Sequence, residues 1–179
     1  YADDCIIMVG SEMSAKRVMR SLTKFIGGKL GLKVNMTKSK VDRPNGLKYL
    51  GFGFYFDSRA HQFKAKPHAK SVEKFKARMK QLTRRSWGVS NSYKVQKLNE
   101  LVRGWINYFK IGSMKTLCAN LDSNIRYRLR MCIWKHWKTP QNRAKNLMEL
   151  DVPRWAAFKV AYCGDNMRDL HTMDGYRKQ

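Results

Sequence analysis

Acidic residues are scarce in this chain. Its 179 residues hold 13 Asp plus Glu against 37 Lys plus Arg, a formal charge of +24. The deficit is sharpest from Ser58 to Met148, where 22 basic residues face only Glu73, Glu100 and Asp122. Self-repulsion at that density opposes compaction unless a polyanion neutralises it, and solubility alone calls for a net charge of only about 2–8. Nucleic acid is therefore the leading partner. Long hydrophobic runs are missing too. No uncharged apolar stretch approaches the ~18 residues of a membrane span, and no basic segment leads into an apolar leader. The basic helices carry aromatics of the kind that pack a core rather than one exposed apolar stripe, so no membrane partner is expected. Paired cysteines are absent: Cys5, Cys118, Cys132 and Cys163 form no C-x-x-C motif, which argues against a zinc framework or a redox pair. Cys132 and His136, four apart on an expected helix, read as a packed thiol beside a solvent-facing imidazole. Free thiols fit a reducing, cytoplasmic location.

What is present suffices for a core. Hydrophobic residues make up 43%, with 5 Trp, 8 Tyr and 8 Phe, which excludes disorder throughout. "CIIMVGS" reads as a short buried strand closed by Gly10 and Ser11. Ser11 is a natural N-cap, and Val18, Met19, Leu22, Phe25, Ile26 and Leu30 predict an amphipathic helix over about 13–30, with Gly31 at C′. "LKVNMTKSKV" reads as a short strand and a turn, "RPNG" as a turn, and "LKYLGFGFYFD" as one apolar-aromatic strand joined through "RAHQ" to "FKAKP". After Pro67 the period becomes helical. Val72, Phe75, Met79 and Leu82 share one arc; Leu98, Leu101, Val102, Trp105, Ile106 and Phe109 form a second stripe; Leu117, Leu121, Ile125, Leu129, Cys132 and Ile133 form a third. Trp105 and Phe109 are expected to pack the resulting bundle. Thr139-Pro140 opens a further helix, and Asp151-Val152-Pro153 another that carries Trp155, Phe158 and Tyr162. The expected division is a mixed piece over 1–66, a helical piece over 67–163 and a tail over 164–179, an α+β chain.

The first four residues, Tyr1-Ala2-Asp3-Asp4, set two carboxylates before an apolar run. Carboxylates suit Mg²⁺, and two metal ions about 3.5–4 Å apart assist phosphoryl and nucleotidyl transfer. Neighbouring strand residues point to opposite faces, so Asp3 and Asp4 do not easily grip one ion without a third carboxylate from elsewhere. Alone, the pair is equally a polar turn entering a strand.

In company it says more. "YADD" before an apolar strand resembles the catalytic hairpin of reverse transcriptases. "LGLKVNMTKSK", with its Lys38-Ser39 pair, resembles the segment after that family's palm helix. "LKYLGFGF" resembles the primer-grip strand, and "LNELVRGWINYFK" with "RMCIWKHWKTPQNRAKNLMELDV" resembles the maturase-specific thumb, or domain X, of group II intron-encoded proteins. The likeness runs from Tyr1 to about Tyr162. It implies the C-terminal part of a reverse transcriptase palm followed by a helical thumb, as an interior piece of something longer. Asp3 would be the metal-binding catalytic carboxylate and Asp4 its neighbour, with Mg²⁺ as cofactor. Tyr1, Ala2 and Lys38 would lie near primer and nucleotide, and Leu50, Gly51 and Phe52 would hold the primer strand. The implied partners are intron RNA, an RNA template, a DNA primer and deoxynucleotides. The upstream palm strands with the other catalytic Asp are not in this sequence, so the chain by itself is expected to lack polymerase activity. The tail lacks the Cys pairs and the His-Asn-His pattern of the endonuclease some relatives carry.

The helical half has its own reading. Lys74, Lys80, Arg84, Arg103, Arg126, Arg130, Lys135 and Arg143 fall outside the apolar stripes and would track RNA phosphates, since folded RNA is bound largely through backbone, shape and 2′-hydroxyl contacts. An RNA-binding module without polymerase activity, or a reverse transcriptase of a non-intron retroelement, are the alternative readings.

Overall fold

A computed structural model describes residues 4–162. The order of elements is α1 (Glu12–Lys29), β1 (Lys48–Tyr49), β2 (Phe52–Asp57), β3 (Gln62–Pro67), α2 (Ala69–Leu82), α3 (Asn91–Phe109), α4 (Lys115–His136), α5 (Pro140–Met148) and α6 (Arg154–Tyr162), with a 3-10 turn at Pro44–Gly46. Helices with a small antiparallel sheet make this an α+β chain. It divides into two compact units. One is the chain up to Lys74 together with Ile106–Met114; the other is Phe75–Trp105 together with the chain from Lys115.

In the first unit α1 starts as its sequence requires. The Ser11 hydroxyl accepts from the Ser14 N–H at 3.2 Å, and Gly31 closes the helix at φ +61°. No residue of α1 is buried. The expected strand over Cys5–Val9 does not form: residues 4–9 have no regular structure, because the only sheet among the described residues is β1-β2-β3 and none of its strands pairs with them. Ile7, Met8 and Val9 stay exposed. The strand expected in "LKVN" is also absent. Asn35 builds a turn there instead, its Oδ1 accepting from the Thr37 and Lys38 N–H groups.

The run "LKYLGFGFYFD" is two strands rather than one. Tyr49 pairs with Phe52 and Lys48 with Gly53, so Leu50 and Gly51 are the two central residues of a tight hairpin. Both have positive φ, +47° and +79°, which is the type I′ geometry whose twist suits a hairpin. Leucine adopts it at a cost of roughly 1–2 kcal/mol. Contacts from distant residues hold it there. The Tyr108 hydroxyl donates to the Leu50 carbonyl at 2.9 Å, and the Gly51 carbonyl accepts from the Ser71 hydroxyl at 2.9 Å and the His68 N–H at 2.9 Å. A Cβ on Gly51 would stand 3.2 Å from Ser71 Oγ and 3.4 Å from the Phe109 ring. Gly51→Ala is therefore expected to destabilise this unit by roughly 1–2 kcal/mol, read as a lower urea midpoint; an unchanged midpoint would contradict the turn.

The β2–β3 hairpin matches its sequence expectation, with Asp57 opposite Gln62. The Asp57 carboxylate accepts from the Arg59 N–H at 3.0 Å and meets Lys64 at 2.6 Å. The Lys64 hydrogen bond, helped by that N–H, holds the Asp57 carboxyl below the ordinary carboxylate range.

The second unit is the helical bundle. Phe75, Met79 and Leu82 from α2, Leu98 from α3 and Leu121 from α4 form its first core cluster. These are the positions the three apolar stripes select. Each such side chain contributes about 1.5–3 kcal/mol on burial. Trp105 packs against this cluster half-buried, its ring 4.8 Å from that of Phe75. Phe109 departs from expectation. It is buried, but against Phe52 (centroids 4.9 Å apart) and Tyr108 in the first unit, because the last turn of α3 folds with the sheet. A second cluster joins Trp134 of α4, Leu147 of α5 and Ala157 of α6. Thr139 caps α5 as its Thr-Pro pair suggests, accepting from the Asn142 N–H. Cys132 is buried and His136 exposed, as expected.

Candidate nucleic-acid interface

The second unit concentrates positive charge where α2 ends. A cleft of about 670 Å³ opens between the end of α2, the segment after it and one face of α4. Its cationic lining is Lys80, Arg84, Arg85, Arg128 and Lys135, and no acidic side chain lines it. Helical geometry explains the α4 contribution: Arg128, Met131 and Lys135 stand at i, i+3 and i+7 and share one face.

The floor of the cleft is a hydrogen-bonded node. The Thr83 hydroxyl is buried and donates to the Met79 carbonyl at 2.7 Å. Arg128 Nε donates to the Thr83 hydroxyl oxygen at 2.6 Å, and its terminal nitrogen to the Lys80 carbonyl at 3.3 Å. Cys132 Sγ donates to the Thr83 carbonyl at 3.4 Å. The last carbonyls of α2 lack partners within the helix; a guanidinium there satisfies one of them and lies favourably at the negative end of the helix dipole. Lys94 is fully buried nearby on α3, and its ammonium donates to the Arg84 carbonyl at 3.1 Å. The cleft is thus built from inside by two cations and rimmed by others that reach solvent.

Of the residues chosen from sequence for RNA contact, Lys80, Arg84 and Lys135 come together in this cleft. The others do not. Arg103 lines a separate hollow on α3 with Asn91 and Glu100. Arg126 is held by Asp122 at 2.8 Å. The Arg143 guanidinium lies 4.7 Å over the Trp134 ring, so its charge is shared with a packing contact. Arg130 is half-buried on α4, and Lys74 is exposed on the part of α2 that belongs to the first unit. Arg85 and Arg128 were not singled out from sequence. The i, i+7 spacing of Arg128 and Lys135 is a signal that marks Arg128; nothing local marks Arg85.

For the nucleotide-transfer site, Tyr1, Ala2 and Asp3 lie outside the described residues. Asp4 is exposed, and its backbone carbonyl accepts from the Tyr49 hydroxyl at 3.4 Å. Among the described residues no three His, Cys, Asp or Glu side chains gather as a metal cluster. Asp3, the other carboxylate expected to hold Mg²⁺, is not among the described residues, and no chemical step is derived through the ion. Leu50, Gly51 and Phe52 sit in the tight hairpin described above. The Phe52 ring is packed on Tyr108 and Phe109, and the Leu50 and Gly51 carbonyls are taken by Tyr108, Ser71 and His68. Lys38 is exposed in the Asn35 turn.

Residues 72–150 match the family model described as group II intron, maturase-specific domain. Over that stretch the chain is similar to the maturase-specific domain of group II introns. The match spans the whole cleft, from Ala77 on α2 to Lys135 on α4, and agrees with the sequence resemblance over the same stretch. No curated protein matches the chain. No helix among the described residues is long and apolar enough to cross a membrane.

Proposed function

We propose that the maturase-specific domain binds folded intron RNA through the Lys80–Arg84–Lys135 cleft and thereby helps the RNA reach its splicing-competent form. The observation that carries this reading is the cleft itself, cationic on every ionisable lining residue and lying within the matched domain. Its charges stand at the end of α2, in the segment after it and along α4, which suits backbone recognition rather than base-edge readout. Neutralising phosphates releases counterions, so affinity for a structured RNA is expected to fall steeply with salt, on the order of 0.9 in log–log slope per phosphate contact. A titration at several salt concentrations measures this, and a flat dependence overturns the reading.

The resemblance of residues 1–66 supports a wider proposal. The chain forms the end of a reverse transcriptase palm and its helical thumb, acting within a protein that copies RNA into DNA with Mg²⁺. In that setting Asp3 and Asp4 would serve the metal site, Tyr1, Ala2 and Lys38 the primer and deoxynucleotide, and the Leu50-Gly51 turn with Phe52 the primer strand.

A further inference from the structure

The last described helix, α6, is built inside out. Ala156, Ala157 and Ala161 face the core at 3%, 0% and 1% exposure, while Trp155, Phe158 and Tyr162 stand out at 60%, 38% and 55%. At ~100° per residue the three aromatics fall within about 60° of one another, centred opposite the alanines. Burying an aromatic ring is worth a few kcal/mol, so a helix that puts methyl groups inside and rings outside has placed its largest apolar surface where folding gains least from it. Small residues are what close packing on α5 and Trp134 requires. They do not require rings on the far side.

The stripe also has a particular chemistry. It is made of rings with no exposed Leu, Ile or Met among them. Phe158 and Tyr162, one helical turn apart, lie in nearly parallel planes, 12° apart with centroids at 6.2 Å. The Arg154 guanidinium lies 5.7 Å from the Phe158 ring centre, Lys159 stands on the same exposed side, and Arg154–Tyr162 contains no acid. Rings in register with flanking cations are the elements that bind unpaired nucleotides: each base stacks on a π face while the cations meet the backbone. The +24 charge of the chain argues against a second copy as the occupant, because two such chains repel.

We infer that α6 is a stacking platform for one or two unpaired RNA nucleotides, through Phe158 and Tyr162 with Arg154 and Lys159. The platform lies beyond the matched domain, which ends at residue 150, and it is distinct from the cleft. It rests on the proposed function only in taking RNA as the ligand. A folded RNA with a single-stranded extension would engage both, its helical part in the cleft and its loose end on α6.

Fluorescence anisotropy with the full 179-residue chain tests this with three probes: an oligouridine strand, a strand of equal length and charge without bases, and a blunt RNA hairpin. Wild type is expected to prefer oligouridine over the abasic strand. The Phe158→Ala/Tyr162→Ala double variant should lose oligouridine affinity by roughly tenfold or more, since one stacked base is worth about 5- to 150-fold. It should bind the hairpin as wild type does, with the same salt slope. The Phe158→Tyr/Tyr162→Phe variant keeps both rings and should restore binding. Equal affinity for oligouridine and the abasic strand, or an alanine variant that binds oligouridine undiminished, overturns the platform. So does self-association of wild type in sedimentation that the alanine variant abolishes, because the stripe is then an interface between copies. If the cleft reading fails instead, neutralising Lys80, Arg84 and Lys135 leaves hairpin binding intact while the oligouridine preference persists.

Discussion

Replacing Lys80, Arg84 and Lys135 together by glutamine is expected to lower affinity for a structured intron RNA by about a hundredfold at physiological salt, and to reduce the log–log salt slope by about 3. The size follows from counterion release: one phosphate contact adds ~0.9 to the slope, which at about 0.15 M corresponds to roughly fivefold, and three such contacts multiply. The three side chains line one cleft, so one bound backbone meets all of them. Glutamine preserves most of the aliphatic stem and therefore most of the packing. Lys97 is a suitable control, since it is already paired with Glu100 at 2.8 Å on α3; Lys97→Gln should change affinity by less than about twofold. Arg128 is the wrong residue to alter for this purpose. Its removal strips Thr83 and the Lys80 carbonyl of their donor, and a buried acceptor left unsatisfied costs about 1–3 kcal/mol, so lost binding would be confounded with lost structure. A triple variant with wild-type affinity and slope overturns the cleft as the RNA site.

Asp3→Ala is expected to abolish extension of a DNA primer on an RNA template by a protein that carries the complete palm, while leaving intron RNA binding unchanged. The expectation rests on the resemblance of "YADD" to a catalytic hairpin, in which Asp3 would be one of the carboxylates that hold Mg²⁺ for nucleotidyl transfer. The pair of readouts separates the two halves of the proposal. Undiminished extension by the variant removes Asp3 from the metal site; lost RNA binding would show that the substitution acts through structure.

The bundle was largely legible in the sequence because its signals are local. Apolar residues three and four apart name the buried arcs of α2, α3 and α4, and Thr139-Pro140 names the start of α5. The hairpin at Leu50-Gly51 was not legible. A run of apolar and aromatic residues conceals a turn, and leucine is a poor sign of positive φ. What holds Leu50 there is the Tyr108 hydroxyl on its own carbonyl, and Ser71 and His68 on the carbonyl of Gly51, and Tyr108, Ser71 and His68 all lie far from the turn in sequence. Phe109 was misplaced for a related reason: periodicity shows that a helix face is apolar, not which neighbour covers it. The strand expected at Cys5–Val9 shows the converse, since β-propensity describes a fit to a partner and no described strand supplies one. In the cleft, sequence identified the rim through surplus charge but passed over Arg128, whose role depends on a buried threonine 45 positions away.

The node beneath the cleft separates two kinds of tolerance to change. Arg128, Thr83 and Cys132 answer to the fold, whereas under the proposed function Lys80, Arg84 and Lys135 answer to the RNA. A lineage that no longer needs the RNA would be free to drift at the three rim codons and still inherit a well-packed bundle. Loss of function would then leave no trace in thermal stability, and screening such descendants by solubility or melting temperature would count silent domains as intact ones.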